Sequence, residues 1–373
     1  MIIVRLLTVG ILLATCLNQD GLGSKPVLES DIERPVTGVM AFGWGLNFQL
    51  SAAVSLPYVD GFTAYYAWND LEPTEGGFDF GAIDSLLEHV REHGKTMNIG
   101  IYAGAHTPDW VIDKGVPAFY WLRPFKEDQV RSQGVAQEQR SPWPWDDEYL
   151  KYWKKFMSEV IERYKDDKSV GYISLTGPTI RDLTTGIQLR EDSDWNRFKG
   201  DIGDDDVTAS LVAAWIDVIE HFQKIDSHTR YALAVGPIRP GNPNVDVARA
   251  VSDYVIQKQY KNIAIMSVFL NDTWFSSGLA ARRIRSILRA AHEEGFNIGY
   301  QMAQSAQRNS TWRTDRLIVK ELGKSFEFGL SDGMQWVEVW HDDIIDRKSD
   351  TPNPKYTNEI VKVHEALKRP WLK

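Results

Sequence analysis

The sequence predicts an α/β fold closed as a single (β/α)8 TIM barrel with long βα loops. Three observations carry this expectation. After Pro35, short β-branched or apolar runs alternate with longer amphipathic stretches. No Gly/Ser/Pro-rich linker interrupts the alternation, so residues 30–373 read as one domain. Polar and aromatic residues also follow the C-terminal end of nearly every strand-like run, where a barrel of this kind assembles its site.

The strand-like runs are, in order, Thr37–Phe42, Gly61–Ala67, Thr96–Ala103, Val170–Leu175, Tyr231–Val235, Ile263–Val268, Asn297–Met302 and Met334–Trp340. Between them lie helical patterns. Ala82–His93 places Ile83, Leu86, Leu87 and Val90 on one face, and Leu150–Tyr164 does the same with Trp153, Phe156, Met157, Val160 and Ile161. Gly94-Lys95 after His93 suits a helix C-terminus. The insertions Val116–Asp147 and Arg181–Asp206 read as long βα loops shaping the mouth of a cleft. An open dinucleotide-binding sheet lacks support, because no Gly-x-Gly-x-x-Gly follows the first strand.

Residues 1–24 read as a signal peptide: Arg5, an apolar run Leu6–Ala14, then small and polar residues from Thr15 to Ser24. The run is too short for a stable membrane span. Cys16 is the only cysteine, and Leu13-Ala14-Thr15-Cys16 is similar to the lipobox of bacterial lipoproteins, with Thr15 as a departure. A plain secretory signal and a lipid anchor at Cys16 both stay open, and the anchor would be the only membrane contact. Export to the periplasm, cell surface or medium is the expectation. With no disulfide available, stability must come from a large core.

The formal net charge of −9 argues against a nucleic-acid partner, since no basic face is in evidence. The chain carries 14 Trp, 14 Tyr and 15 Phe, many in expected loops. Sugar rings present C–H faces that pack on aromatic rings, and their hydroxyls need amide, carboxylate and imidazole partners. Helical tryptophans such as Trp153 and Trp215 are better explained as packing.

The segment Trp68-Asn69-Asp70-Leu71-Glu72-Pro73-Thr74-Glu75-Gly76-Gly77-Phe78-Asp79-Phe80 resembles the Trp…Leu-Glu-Pro…Gly-x-Phe-Asp-Phe stretch of clan A glycoside hydrolases, especially family 42. A helix, a Gly-Lys turn and a strand leading to His106-Thr107-Pro108-Asp109-Trp110 follow in the same order. The resemblance covers about the first third of the mature chain and implies a poly- or oligosaccharide substrate. Trp68, Tyr102, His106, Trp110, Trp274, Gln301, Trp340 and His341 are the candidate sugar contacts.

Glycosidic hydrolysis uses two facing carboxyl groups, about 5–5.5 Å apart in retaining enzymes and about 6.5–9.5 Å in inverting ones. The resemblance implies carboxylates after strands four and seven. Here those places read Leu175-Thr176-Gly177-Pro178-Thr179 and Ile298-Gly299-Tyr300-Gln301-Met302. Glu338, inside the apolar strand Met334–Trp340, is the candidate nucleophile or base, since a carboxyl there is costly to bury without a partner. Asp182 is favoured as the second carboxyl, with Glu191, Asp109 and Asp342 as alternatives. The competing expectation is a barrel that binds carbohydrate without cleaving it. Gly329-Leu330-Ser331-Asp332-Gly333 matches a serine-hydrolase elbow, but lies after a helix and before a strand, the reverse of what that elbow needs. Asp192–Asn196 begins like a calcium loop, with Arg197 where Gly is required. With no His-Glu-x-x-His or Cys/His cluster, neither metal nor cofactor is expected. Asn271 and Asn309 form Asn-x-Ser/Thr sites that matter only in a eukaryotic host.

Overall fold

A computed structural model describes residues 36–43, 51–122, 138–181, 183–187, 189–200, 203–307, 319–346 and 348–368. Eight parallel strands close into a barrel. They are β1 (Gly38–Phe42), β2 (Gly61–Ala67), β3 (Thr96–Tyr102), β4 (Val170–Ser174), β5 (Tyr231–Ala234), β6 (Ile263–Leu270), β7 (Ile298–Met302) and β8 (Trp336–Trp340). Each pairs with its neighbours in chain order. Closure comes from β1 on β8, in a register running from Gly38 opposite Trp336 to Phe42 opposite Trp340. The predicted fold class is therefore the observed one, and strand ends differ from expectation by one or two residues.

Seven longer helices follow β2 to β8: α1 (Gly81–Glu92), α2 (Asp147–Tyr164), α3 (Asp204–Ile225), α4 (Asp246–Gln257), α5 (Leu279–Glu293), α6 (Leu322–Ser331) and α7 (Thr357–Leu367). The β1–β2 connection has only the short 3-10 turn Ala52–Ser55 among its described residues. The sequence explains these elements locally. In α1 the apolar residues Ile83, Leu86, Leu87 and Val90 recur at helical spacing and are all buried against the sheet. Each contributes about 1.5–3 kcal/mol relative to an exposed position. Helix α2 starts where the Asp146 carboxylate accepts from the backbone N–H of Tyr149.

The apolar residues form two groups. The larger lies between sheet and helices, and the smaller fills the barrel itself with Met40, Tyr102, Tyr172, Ala232, Ala234, Ala264, Met266 and Trp336. Because both strand faces are buried, the strands read as nearly continuous apolar runs rather than alternating ones. The interior is lopsided: β5 supplies only alanines and β6 an alanine and a methionine, while β2, β3, β4 and β8 supply rings. Trp336 lies directly on Gly299, where a Cβ would come within 2.0 Å of the indole. The long connection after β3 carries an antiparallel strand pair, Ala118–Leu122 on Glu138–Pro142, that sequence did not predict.

Candidate functional site

Strand geometry decides which side chains enter the barrel. Residues two apart share a face, so Thr63 and Tyr65 on β2, Asn98 and Tyr102 on β3, and Trp336, Glu338 and Trp340 on β8 share sides. Glu338 is fully buried and enters the interior, flanked in register by Met40 and Gln301. Its Oε1 accepts from Thr63 Oγ1 at 2.9 Å and from the Tyr172 hydroxyl, and its Oε2 accepts from the Tyr65 hydroxyl at 3.1 Å. Asn98 Nδ2 donates to Thr63 Oγ1 at 3.1 Å, and Gln301 Nε2 donates to the Tyr65 oxygen at 2.6 Å. No lysine or arginine hydrogen-bonds this carboxyl among the described residues.

Burial pushes the Glu338 carboxyl above the ordinary carboxylate range, while the hydrogen bonds from Tyr172, Thr63 and Tyr65 pull it back. The phenols of Tyr65 and Tyr172 are held well above their usual value, first by burial and then by the Glu338 charge. Both therefore stay protonated donors. The arrangement is a buried carboxyl satisfied by neutral hydroxyls, and Tyr65 alone among its three direct partners is partly exposed.

Above Glu338, the Tyr102 ring stands 5.4 Å from that of Tyr65 and 5.3 Å from His106. Burial, and then the Arg181 charge, lowers the His106 pKa, which favours the neutral imidazole. Trp340 packs on Phe42 with centroids 4.4 Å apart and donates its indole N–H to the Met302 carbonyl at 2.9 Å. Tyr65, Tyr102, His106, Gln301 and Trp340 thus gather toward the C-terminal end of the barrel. Trp274 is half-buried in a short helix after β6, packed on Phe269 and Phe275. The His341 Nε2 pairs with Ser51 Oγ at 2.5 Å, and burial lowers its pKa.

One expected sugar contact is corrected. Trp68 is fully buried beside Trp153 and Phe156, and its indole donates to Glu72 Oε2 at 2.8 Å. Glu72 also accepts the backbone N–H of Gly76, and its carbonyl accepts from Trp110 Nε1 at 3.1 Å. Trp68 and Trp110 therefore hold the loop after β2 against α2, and Trp68 presents no free ring face to a ligand, while Trp110 stays half-buried. A tryptophan directly after a strand can fold back beneath the next helix, which is what happens here.

Asp182, the favoured second carboxyl, lies outside the described residues, as do residues 1–24 with Cys16, and Asn309. Among the alternatives, Asp109 pairs with Arg140 and is mostly exposed, while Glu191 is the exposed N-cap of the helix Asp192–Lys199. Asp342 is buried but does not hydrogen-bond Glu338. Its neighbour Asp343 accepts from Ser305 Oγ and from the backbone N–H groups of Ala306 and Gln307, so it pins the loop after β7. After β4, Thr176 and Thr179 are buried, the Trp153 indole donates to the Thr176 carbonyl, and Gly177 has φ +141° against the same indole. That turn is packed tightly enough to leave no room for an added side chain at Gly177. Ser331 is no hydrolase nucleophile: its hydroxyl donates to the Phe328 carbonyl, and Asp332 is bound by Arg285 and Tyr300 at the opposite barrel end. Asp192 opens a helix and pairs with Arg239, which leaves no calcium loop there.

Sequence reasoning missed Thr63, Tyr65, Asn98 and Tyr172. Their one signal was a polar side chain on the inward parity of an apolar strand.

The geometry can now be set beside known proteins. Residues 53–175 match the family model of glycoside hydrolase family 42, described as beta-galactosidase. Over this stretch the barrel is similar to glycoside hydrolases. Beta-galactosidase bgaB from Geobacillus kaustophilus is 29% identical over 102 residues, 27% of this chain and 14% of that protein. A beta-galactosidase from Geobacillus sp. (strain Y412MC61) aligns to the same extent. The aligned segment thus spans only 14% of these relatives' length. The catalytic domain of beta-amylase from Paenibacillus polymyxa superposes with a TM-score of 0.60 at 11% identity, covering 90% of this chain and 100% of that one. The beta-galactosidase from Rahnella sp. R3 gives 0.54 at 12% identity, covering 90% and 57%. These superpositions show a shared fold. The glycoside hydrolase relationship therefore rests on the segment that holds β2, β3 and β4.

Proposed function

We propose that this glycoside hydrolase-related barrel binds a poly- or oligosaccharide at its C-terminal mouth, over Tyr65, Tyr102, His106, Gln301 and Trp340, without cleaving it. One observation carries the reading: Glu338 is fully buried, and both of its carboxyl oxygens are taken up by the hydroxyls of Thr63, Tyr65 and Tyr172. Hydrolysis needs a pair facing an open gap. The aromatic rings and the amide at the mouth suit sugar C–H faces and hydroxyls. Galactosides are the first ligands to try, given the names of the relatives. Residues 1–24 support an exported location, with Cys16 as the point of attachment if the chain is lipidated.

A second reading keeps the chemistry. The Tyr65 hydroxyl links Glu338 to the mouth, so Glu338, with Asp182 as the other carboxyl, could serve hydrolysis through that contact. Titration calorimetry and product analysis on a panel of galactose-containing and other polysaccharides separate the two. Binding without product, weakened about tenfold (about 1.4 kcal/mol) by His106→Ala or Trp340→Ala in protein of unchanged circular dichroism, is the expected result. Product release by wild type that disappears in Glu338→Gln would overturn the binding-only reading.

A further inference from the structure

On the outer wall of the barrel, far in sequence from the mouth residues of β7 and β8, α1 ends in His89-Val90-Arg91-Glu92-His93. Sequence reasoning looked for His-Glu-x-x-His and passed over this reversed spacing, His-x-x-Glu-His. Side chains three and four apart on a helix lie on one face. The structure brings one potential ligand atom from each of His89, Glu92 and His93 within 4.8 Å of one another.

Several details fit a cation at this place. The His93 Nδ1 lies 2.9 Å from the His89 carbonyl, a hydrogen bond that fixes Nδ1 as the donor and leaves the Nε2 lone pair available. Metal-ligating histidines are commonly oriented this way, by donating the other ring nitrogen to a carbonyl. The His89 Nε2 is shielded from water and has no hydrogen-bond partner in the protein. The two imidazoles lie 4.6 Å apart, side by side at the last turn, where the helix dipole favours positive charge. Arg91, the cation on that turn, is already paired with Asp167. Glu92 is exposed and supplies the anionic oxygen.

We propose that His89, Glu92 and His93 form a surface site for a divalent transition metal of the zinc class, with water completing the coordination. Zinc takes imidazole nitrogen and carboxylate oxygen at about 2.0–2.2 Å, which places tetrahedral ligand atoms about 3.4 Å apart. Rotation of the exposed Glu92 and His93 side chains brings their ligand atoms toward the half-buried His89 ring. A protease reading of the reversed motif does not follow, because Glu92 and His93 are exposed at the end of a helix on the outer layer of the barrel. The site would clamp the final turn of α1, and it stands independently of the carbohydrate reading.

Titration calorimetry of the chelator-treated full chain with zinc chloride tests this. One equivalent should bind and raise the melting temperature. The double variant His89→Gln/His93→Gln should lose that binding, and Glu92→Gln should weaken it about tenfold. Circular dichroism of each variant without metal should be unchanged, because the three side chains do not hold the core. Equal zinc binding and equal thermal shift in wild type and double variant would assign the metal elsewhere and overturn the proposal, as would no measurable binding by the wild type.

Discussion

Glu338 shows how much a single interior carboxyl constrains its surroundings. Three hydroxyls donate to it, so deleting the acceptor strands all of them in a closed space. Glu338→Ala is expected to cost about 3 kcal/mol or more in urea unfolding, whereas Glu338→Gln keeps shape and acceptor oxygen and should cost clearly less. Asp343 gives a pH-dependent counterpart. Burial pushes its carboxyl up to about 6 despite three hydrogen bonds. The folded state then binds a proton more readily than the unfolded chain, so this contribution is greatest below the ordinary aspartate range. It is lost as pH rises through about 6. Relative to Asp343→Asn, the wild type should lose up to about 3 kcal/mol of unfolding free energy between about pH 4 and about pH 7. A pH-independent difference between the two proteins would show that the carboxyl does not titrate as the fold implies.

Among the elements, the strands were legible because a sheet buried on both faces writes itself as unbroken apolar runs. Gly61–Ala67 matches its predicted bounds, and β6 runs two residues beyond the expected Val268. The site was less legible, for a physical reason. Inward parity is visible in sequence only where polar and apolar residues alternate, and here Thr63, Tyr65, Asn98 and Tyr172 sit among residues equally buried on the other face. Trp68 misled in the opposite sense: loop position suggested ligand contact, while the chain uses its ring as packing behind β2. The glycines of the strands mark where rings need space. A Cβ at Gly100 would fall 2.2 Å from the Tyr65 ring, and one at Gly299 would fall 2.0 Å from Trp336. Gly299→Ala should therefore lower stability by about 1–3 kcal/mol. Gly100→Ala should in addition tilt Tyr65 away from Glu338, visible as altered near-ultraviolet circular dichroism. No spectral change would mean that the ring has room to spare.

At the scale of the whole molecule, the barrel closes through a five-residue register between its first and last strands, so neither end can be removed without opening the sheet. Helix α7 buries Ile360, Val363 and Leu367, and His364 lies against Asp60. A chain truncated after residue 356 should accordingly lose cooperative thermal unfolding, and a truncated protein that still melts in one sharp step would show that the sheet closes without this cover. The expectations for residues 1–24 are a separate matter of processing, which intact-mass measurement on protein recovered from expressing bacteria addresses. Cleavage near Ser24 indicates plain secretion, and an acylated Cys16 indicates anchoring.

The link from Gln301 to Tyr65 to Glu338 also bears on what position 301 can hold. Gln301→Glu would set two anions on either side of one phenol, and mutual repulsion in so dry a place would force one of them to keep its proton. The buried carboxyl of Glu338 thus resists a second one beside it, and Gln301→Glu should lower the melting temperature more at about pH 8 than at about pH 5.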